Sequence, residues 1–138
     1  MTELNDFNQA IIDEFRANHG RVGGQFEGAP LLLLHSTGAK SGQERINPVM
    51  YQAVGDDDAV FASKAGAPDN PAWYHNVVAN PDASVEVGDD TVAVTARVTE
   101  GDERDRIWSQ QKTDYSGFAD YEKATTRQIP VVILTPKR

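Results

Sequence analysis

A short turn rich in glycine and hydroxyl groups, residues 36–45, is the stretch of this sequence best suited to hold an anion. Gly38 and Gly42 can adopt backbone angles that other residues avoid, and successive N–H groups in such a turn can converge on a negative group. Lys40 and Arg45 add positive charge, and the planar guanidinium group fits phosphate or carboxylate. The whole chain carries a formal net charge of −8, so a cationic turn needs a local reason. A bound anion supplies one, and a solvated hairpin tip is the alternative.

A second cation stands at the end of another apolar run. Lys64 follows the run Ala59–Ser63, much as the Lys40 turn follows the run Leu31–Leu34. If the two runs are neighbouring strands, Lys40, Arg45 and Lys64 can meet on one anionic group. We therefore predict that these three cations share a binding site.

Trp73 and Asn76 stand about one helical turn apart, so they share a face if their segment is helical. A tryptophan ring can pack against a flat ligand, and an asparagine amide can both donate and accept hydrogen bonds. Plain core packing is the alternative for Trp73. The pair is a second candidate for ligand binding.

Composition excludes several classes of function. The 138 residues contain no cysteine, which excludes a thiolate nucleophile and a disulfide framework. The three histidines, His19, His35 and His75, are scattered along the chain, so we predict no metal site. Net negative charge argues against nucleic acid and against a surface of anionic lipid. No apolar run approaches the roughly 18 residues that span a bilayer, and the N-terminus lacks the features of a signal peptide. A cytoplasmic location is therefore expected.

The hydrophobic pattern predicts one domain over residues 1–138, a small antiparallel barrel with added helices. Residues 1–24 are expected to form a helix and a linker, because Leu4, Phe7, Ile11, Ile12 and Phe15 make one apolar stripe. Core packing is the favoured role of this helix, and a lid is the alternative. The predicted strands are 31–34, 45–54, 59–63, 84–87, 91–98 and 129–134. Helices are predicted over 71–80 and 102–112, and a turn or short helix over 115–121.

Three positions carry specific structural predictions. Pro48 lies within the second predicted strand, where proline requires a sheet edge or a bulge. Residues 55–58, a glycine and three aspartates, are expected to form a solvated turn, because the spacing of a calcium loop is missing. Asn70 and Pro71 are expected to be the N-cap and the first residue of the next helix.

Four motifs follow one another in register along the chain. They are Thr37-Gly-Ala-Lys-Ser-Gly-Gln-Glu-Arg-Ile-Asn-Pro48, Phe61-Ala-Ser-Lys-Ala-Gly66, Asn70-Pro-Ala-Trp-Tyr-His-Asn76 and Ala79-Asn-Pro81. Together with the ending Ile129-Pro-Val-Val-Ile133, they resemble the deazaflavin-dependent nitroreductase family over nearly the whole chain from about Leu31. The resemblance implies an α+β split β-barrel of about six mostly antiparallel strands with flanking helices. It also implies an oxidoreductase that transfers hydride from reduced coenzyme F420, an 8-hydroxy-5-deazaflavin, to nitro compounds, quinones or activated alkenes.

The resemblance also implies a coenzyme-binding set. Lys40, Ser41 and Arg45 would hold the phosphate and the oligoglutamate tail, and residues 46–50 would lie along the deazaflavin. The full implied set is Ala39, Lys40, Ser41, Arg45, Ile46, Asn47, Pro48, Val49, Met50, Phe61, Ala62, Ser63, Lys64, Trp73 and Asn76.

Tyr115 and Tyr121 match family tyrosines near the substrate, and Phe118 stands where the family has a third tyrosine. A tyrosine hydroxyl, Ser63 or water would supply the proton that follows the hydride. Tyr115, Tyr121 and Ser63 are therefore the candidate catalytic residues. Two alternatives remain open: an FMN-dependent oxidoreductase on the same split barrel, and a protein that binds coenzyme F420 without catalysis.

Overall fold

The structure, a computed structural model, describes residues 3–23, 30–63 and 70–137, and in the first helix it describes side chains only from residue 9 onward. Helices and strands alternate irregularly along these residues. In order they are α1 Glu3–Ala17, β1 Leu31–Thr37, β2 Glu44–Val54, β3 Asp57–Phe61, α2 Ala72–Ala79, β4 Asp82–Val87, β5 Asp90–Val98, α3 Gly101–Asp114, α4 Gly117–Ala124 and β6 Val131–Pro136. The predicted order of strands and helices is confirmed.

The strands form a closed barrel in the order β1-β2-β3-β6-β5-β4, and every neighbouring pair is antiparallel. Strand residues alternate between the two faces of a sheet, so every second side chain points into the barrel. The interior is a buried apolar cluster that includes Leu32, Leu34, Val60, Val85 and Leu134. The antiparallel barrel predicted from the sequence is therefore confirmed.

Two further apolar clusters lie outside the barrel, each beneath helices. The first joins α1 to β1 through Ile11, Ile12, Phe15, Leu31 and Leu33. The buried stripe of α1 confirms its predicted core-packing face, while the side chains of Leu4 and Phe7 lie outside the described residues. The second cluster joins α3 and α4 to β3 and β6, with Trp108 and Phe118 against Phe61.

The turn predicted over residues 55–58 is too long. Asp57 pairs with Val54 and Asp58 pairs with Ala53, so both aspartates belong to β3. Gly55 takes a positive φ of 62°, which suits a two-residue hairpin loop. The turn is therefore formed by Gly55 and Asp56 alone.

The predicted start of α2 is wrong by one residue. Pro71 is the N-cap, with extended backbone angles, and no side chain caps the helix. Asn70 Oδ1 instead accepts a hydrogen bond from Arg127 at 2.7 Å. Asn70 Oδ1, which the local sequence pattern predicted as the helix cap, therefore bonds a residue far away in the sequence instead.

The segment predicted as a turn or short helix over 115–121 is divided between two helices. Tyr115 is the C-cap of α3, whereas Phe118 and Tyr121 belong to α4. The three rings nevertheless pack around one cluster, because the connection between the helices is short.

Candidate active site

The barrel wall opens along one side of β2. This strand pairs with β1 along residues 44–50, but with β3 only along residues 51–54. Past Val60 the chain keeps its pairing with β6 but no longer pairs with β2, since Phe61 pairs with Val131 and the Ala62 N–H donates to the Pro130 carbonyl at 3.0 Å. We call the gap between residues 44–50 and residues 61–63 the split.

Pro48 lies on the open edge of β2. The Tyr51 N–H donates to the Pro30 carbonyl, on the β1 side of the strand, at 3.1 Å. Backbone groups of successive residues point to opposite sides of a strand, so those of Ile46, Pro48 and Met50 point toward the split. The proline nitrogen has no hydrogen to donate there. The predicted edge position is confirmed, and the unbroken register with β1 leaves no bulge.

The glycine-rich turn between β1 and β2 stands at one end of the split. Within it, the N–H groups of Gly38 and Gly42 donate to the carbonyls of Gln43 and Gly38 at 2.8 and 2.9 Å. Gly42 takes a positive φ of 71°. A Cβ at Gly38 would come within 2.6 Å of Ser41 Oγ, so glycine is needed at both positions.

Two consecutive N–H groups at the tip of this turn are free. The N–H of Lys40 and that of Ser41 have no partner within the described part of the chain, whereas their neighbours Ala39 and Gln43 donate to side-chain oxygens. The exposed side chains of Lys40 and Arg45 likewise form no ion pair with any described residue. Free consecutive N–H groups beside unpaired cations are the donor set that a phosphate group requires. Lys64, the third predicted cation, lies outside the described residues.

Asn76 anchors the turn through two hydrogen bonds of its side chain. Its side chain is only 6% exposed, its Oδ1 accepts from the Ala39 N–H at 3.0 Å, and its Nδ2 donates to Ser36 Oγ at 3.2 Å. Trp73, one turn earlier on α2, is 5% exposed and packs in the barrel interior. The structure therefore brings Asn76 to the glycine-rich turn, but places Trp73 in the core.

The outward face of β2 meets the aromatic segment on the far side of the split. Met50 packs against both outer clusters, and Ile46 packs against the α1 cluster. Tyr115 and Tyr121 are partly buried at the same cluster as Met50, and the ring of Phe118 stacks edge-on against Tyr121 at 5.3 Å. Met50 and the two candidate tyrosines thus border one apolar cluster.

The remaining predicted site residues divide between the core and the edge of the split. Phe61 and Ala62 are buried, in the α3–α4 cluster and in the barrel interior respectively. Val49 packs partly against the interior, whereas Asn47 and Ser63 are half-buried. Ser63 therefore stands at the edge of the split with part of its surface exposed.

The sequence offered no signal for two polar residues beside this site. Glu122 accepts from Lys112 Nζ at 3.0 Å and from Trp108 Nε1 at 2.6 Å. The bond from Lys112, supported by that from Trp108, holds the pKa of Glu122 below its ordinary value although burial acts in the opposite direction. Arg127 donates to Ser63 O as well as to Asn70. Each contact joins segments that lie far apart in the chain or on different helices, so no local motif reveals it.

Neither a metal centre nor a membrane helix occurs in the part of the chain that the structure describes. No three His, Asp or Glu side chains there are grouped so that they could hold an ion. No described helix is both long enough and apolar enough to cross a bilayer.

The fold is shared by proteins of different function. A haem storage protein from Vibrio cholerae, 15% identical with a TM-score of 0.60, covers 92% of this chain and 88% of its own. At that identity the likeness shows the fold alone. Two closer structures are an F420-H2 dependent reductase and a domain-swapped dimer. The first is 43% identical with a TM-score of 0.70, covering 76% of this chain and 93% of that chain. The second is 38% identical with a TM-score of 0.71, and the match covers 95% of this chain and 96% of that chain.

The split barrel and these relatives define an F420-dependent reductase. The chain belongs to the F420H(2)-dependent quinone reductase family, whose sequence pattern matches residues 9–136. A quinone reductase of this kind from Mycobacterium tuberculosis is 41% identical over 125 residues, which cover 88% of this chain and 84% of the relative. The protein is thus an oxidoreductase that uses reduced coenzyme F420 as its hydride donor and a quinone-type acceptor.

Proposed function

We propose that the turn between β1 and β2 binds the phosphate group and the acidic tail of coenzyme F420. The observation that supports this is a pair of N–H groups, on Lys40 and Ser41, and a pair of cations, Lys40 and Arg45, that have no partner among the described residues. The chain as a whole is strongly acidic, and this turn carries two cations beside a single carboxylate, Glu44, which His35 contacts at 3.2 Å. Lys64 adds a third cation by sequence, and Ala39 contributes through its anchored backbone.

Residues 46–50 are the second part of the proposed coenzyme site. The backbone groups of Ile46, Pro48 and Met50 face the split and pair with no described strand there, so they are available to the polar edge of a planar ring. Ser63, with Lys64 after it, lies on the opposite edge. When bound, the coenzyme supplies the hydride, and the protein contributes binding and orientation.

The acceptor is proposed to bind between Met50 and the tyrosines of the aromatic segment. Tyr115 and Tyr121 lie at the same cluster as Met50, so their hydroxyl groups can hydrogen-bond a quinone oxygen. A quinone that gains a hydride also needs a proton, and either tyrosine or Ser63 can hold one at hydrogen-bonding distance. Nitro compounds and activated alkenes are further acceptors of the same electron-poor kind.

Titration of the purified protein with coenzyme F420 and with FMN tests the coenzyme assignment. We expect F420 to bind at least tenfold more tightly, and turnover of a quinone, a nitroaromatic and an enone to require it. Preferential binding of FMN would favour the flavin alternative. Tight binding of F420 without turnover of any acceptor would favour the non-catalytic alternative.

The other sequence-based expectations accompany this proposal. The whole chain, residues 1–138, is proposed to act as one coenzyme-binding domain with a cytoplasmic location. Its partner is a small-molecule acceptor, with no role for nucleic acid, membrane or metal. Activity that disappears with a chelator and returns with zinc or iron would contradict this.

A further inference from the structure

Arg127 joins two segments that lie far from it in the sequence. It stands in the connection between α4 and β6, where its Nη1 donates to Asn70 Oδ1 at 2.7 Å and its Nη2 donates to the Ser63 carbonyl at 3.0 Å. Ser63 lies at the edge of the split, and Asn70 directly precedes the N-cap of α2. One guanidinium group therefore fixes the edge of the split relative to the start of α2.

The same helix carries the contact that holds the anion-binding turn. Asn76, one turn into α2, accepts from the Ala39 N–H. A continuous series of contacts thus runs from the turn through Asn76 and α2 to Asn70, and from there through Arg127 to Ser63. The two sides of the split are linked through the protein even though β2 and β3 do not pair across it.

We propose that Arg127 is a positioning residue that sets the distance between Ser63 and the anion-binding turn, and thereby the fit of the coenzyme in the split. The inference rests on the proposed function of that site. It assigns to Arg127 no contact with coenzyme or acceptor, and it adds a residue that the sequence motifs did not indicate.

The geometry of the contact requires arginine rather than any cation. The two acceptors, a side-chain amide oxygen and a backbone carbonyl, are bonded by different nitrogens of one planar group. Lysine keeps the positive charge but has a single flexible ammonium group. Arg127→Lys therefore separates the loss of geometry from the loss of charge.

Arg97 offers a matched control on the other side of the barrel. It also forms a two-pronged contact, with Glu103, through Nη1 and Nη2 at 2.8 and 2.9 Å. Arg97 lies on β5 and Glu103 on α3, so neither borders the split. Arg97→Lys makes the same chemical change without touching the proposed linkage.

The experiment compares the wild type, Arg127→Lys, Asn70→Ala, their double variant and Arg97→Lys. In the coenzyme-free protein, amide hydrogen exchange at Ala62 and Ala39 should accelerate in Arg127→Lys and remain unchanged in Arg97→Lys. The dissociation constant of coenzyme F420 should rise about tenfold, below the 10²-fold that a 1 Å misplacement can cost. The KM for a quinone should stay within twofold. Asn70→Ala should also raise the dissociation constant. The rise in the double variant should be smaller than the product of the two single fold-changes, because both variants break the same linkage.

The outcomes separate this inference from the proposed function. If the wild type does not bind coenzyme F420, the proposed function fails, and the exchange rates of the coenzyme-free protein still decide whether Arg127 links the two segments. If Arg127→Lys lowers Tm like Arg97→Lys but leaves the exchange rates and the F420 affinity at wild-type values, Arg127 is merely structural and the inference is overturned. Full additivity of Arg127→Lys and Asn70→Ala would overturn it as well.

Discussion

Asn76 Oδ1 and the backbone N–H of Ala39 are joined by a hydrogen bond of 3.0 Å that connects an exposed turn to a buried side chain of α2. The bond uses one donor of the turn, and the next two N–H groups, on Lys40 and Ser41, have no partner in residues 3–23, 30–63 and 70–137. A turn held in this way has its donors oriented before any ligand arrives, which reduces the entropic cost of binding.

Removing the Asn76 amide should damage both the fold and the coenzyme site. Asn76→Ala leaves the Ala39 N–H and the Ser36 hydroxyl without their partner, so we expect about 1–3 kcal/mol of lost stability. Coenzyme F420 should bind about tenfold more weakly, because the free N–H groups lose their orientation. Urea denaturation and fluorescence titration measure the two effects. His75→Ala, at an exposed neighbouring position of α2, is the control, and equal behaviour of the two variants would contradict the role of Asn76.

Coenzyme affinity should depend on the cations of the turn. Lys40→Ala, Arg45→Ala and Lys64→Ala should each weaken F420 binding by about 1–3 kcal/mol, the scale of a charge-assisted hydrogen bond. Added salt should weaken wild-type binding too, because it screens exposed charges. Lys123→Ala removes an exposed cation of α4 and should leave the affinity unchanged. A triple variant that binds as tightly as the wild type would show that the anion lies elsewhere.

The features that were predictable from the sequence are those set by near neighbours in the chain. Alternation and helical spacing depend on side chains two to four positions apart, and they were sufficient for the barrel, for α1 and for the edge position of Pro48. The free N–H groups of the turn also arise locally, from Gly38 and Gly42.

The features that were missed depend on partners that only the folded chain brings together. Asn70 has a good capping side chain, yet Arg127, 57 positions away, takes its oxygen. The split depends on where the register of β2 with β3 ends; Pro48 predicts an unpaired edge on β2, but it does not fix the end of the register at Tyr51 and Val60. Phe61 and Ala62 are buried where β3 continues beside β6 after its pairing with β2 has ended.

The hydroxyl groups of the aromatic segment should matter for turnover. Tyr115→Phe and Tyr121→Phe keep the rings in their cluster, so turnover should fall by up to about 10²-fold while F420 affinity barely changes. Phe118→Tyr should alter the relative rates with a quinone, a nitroaromatic and an enone, since it adds a polar group beside Tyr121. Steady-state kinetics on the three acceptors measure both effects, with Tyr74→Phe on α2 as the control. Unchanged kinetics for both tyrosine variants on every acceptor would show that this segment contributes only packing and that its hydroxyl groups have no role in turnover.

Stability at acidic pH should depend on Glu86. The two-pronged contact from Arg16, at 3.1 and 2.8 Å, and a further bond from His35 hold the pKa of Glu86 below its ordinary value, although burial raises it. A lowered pKa in the folded state gives stability that is present above the unfolded pKa of about 4.5 and is lost as the pH falls through the folded value.

Glu86→Gln should therefore flatten the stability profile below about pH 5, and cost about 1 kcal/mol at neutral pH, because Arg16 is half-exposed and solvent screens the pair. Urea midpoints between about pH 3 and pH 7 give the profile. Glu100→Gln, at an exposed carboxylate with no ion pair among the described residues, should retain the wild-type slope. If Glu86→Gln loses as much stability at acidic pH as the wild type, other carboxylates cause the loss.

Pro48 has a consequence for self-association as well as for the shape of the wall. An open strand edge invites a strand from another chain to add to it, which is a common route to aggregation. Here the exposed edge of β2 carries a residue without an N–H at its middle, so an incoming strand would meet an interrupted ladder of hydrogen bonds. A flat ligand needs only a few groups of that edge, whereas a continuous strand needs all of them. Pro48 thus puts a residue without an N–H on the part of β2 that pairs with no described strand on that side, which disfavours addition of a strand from another chain.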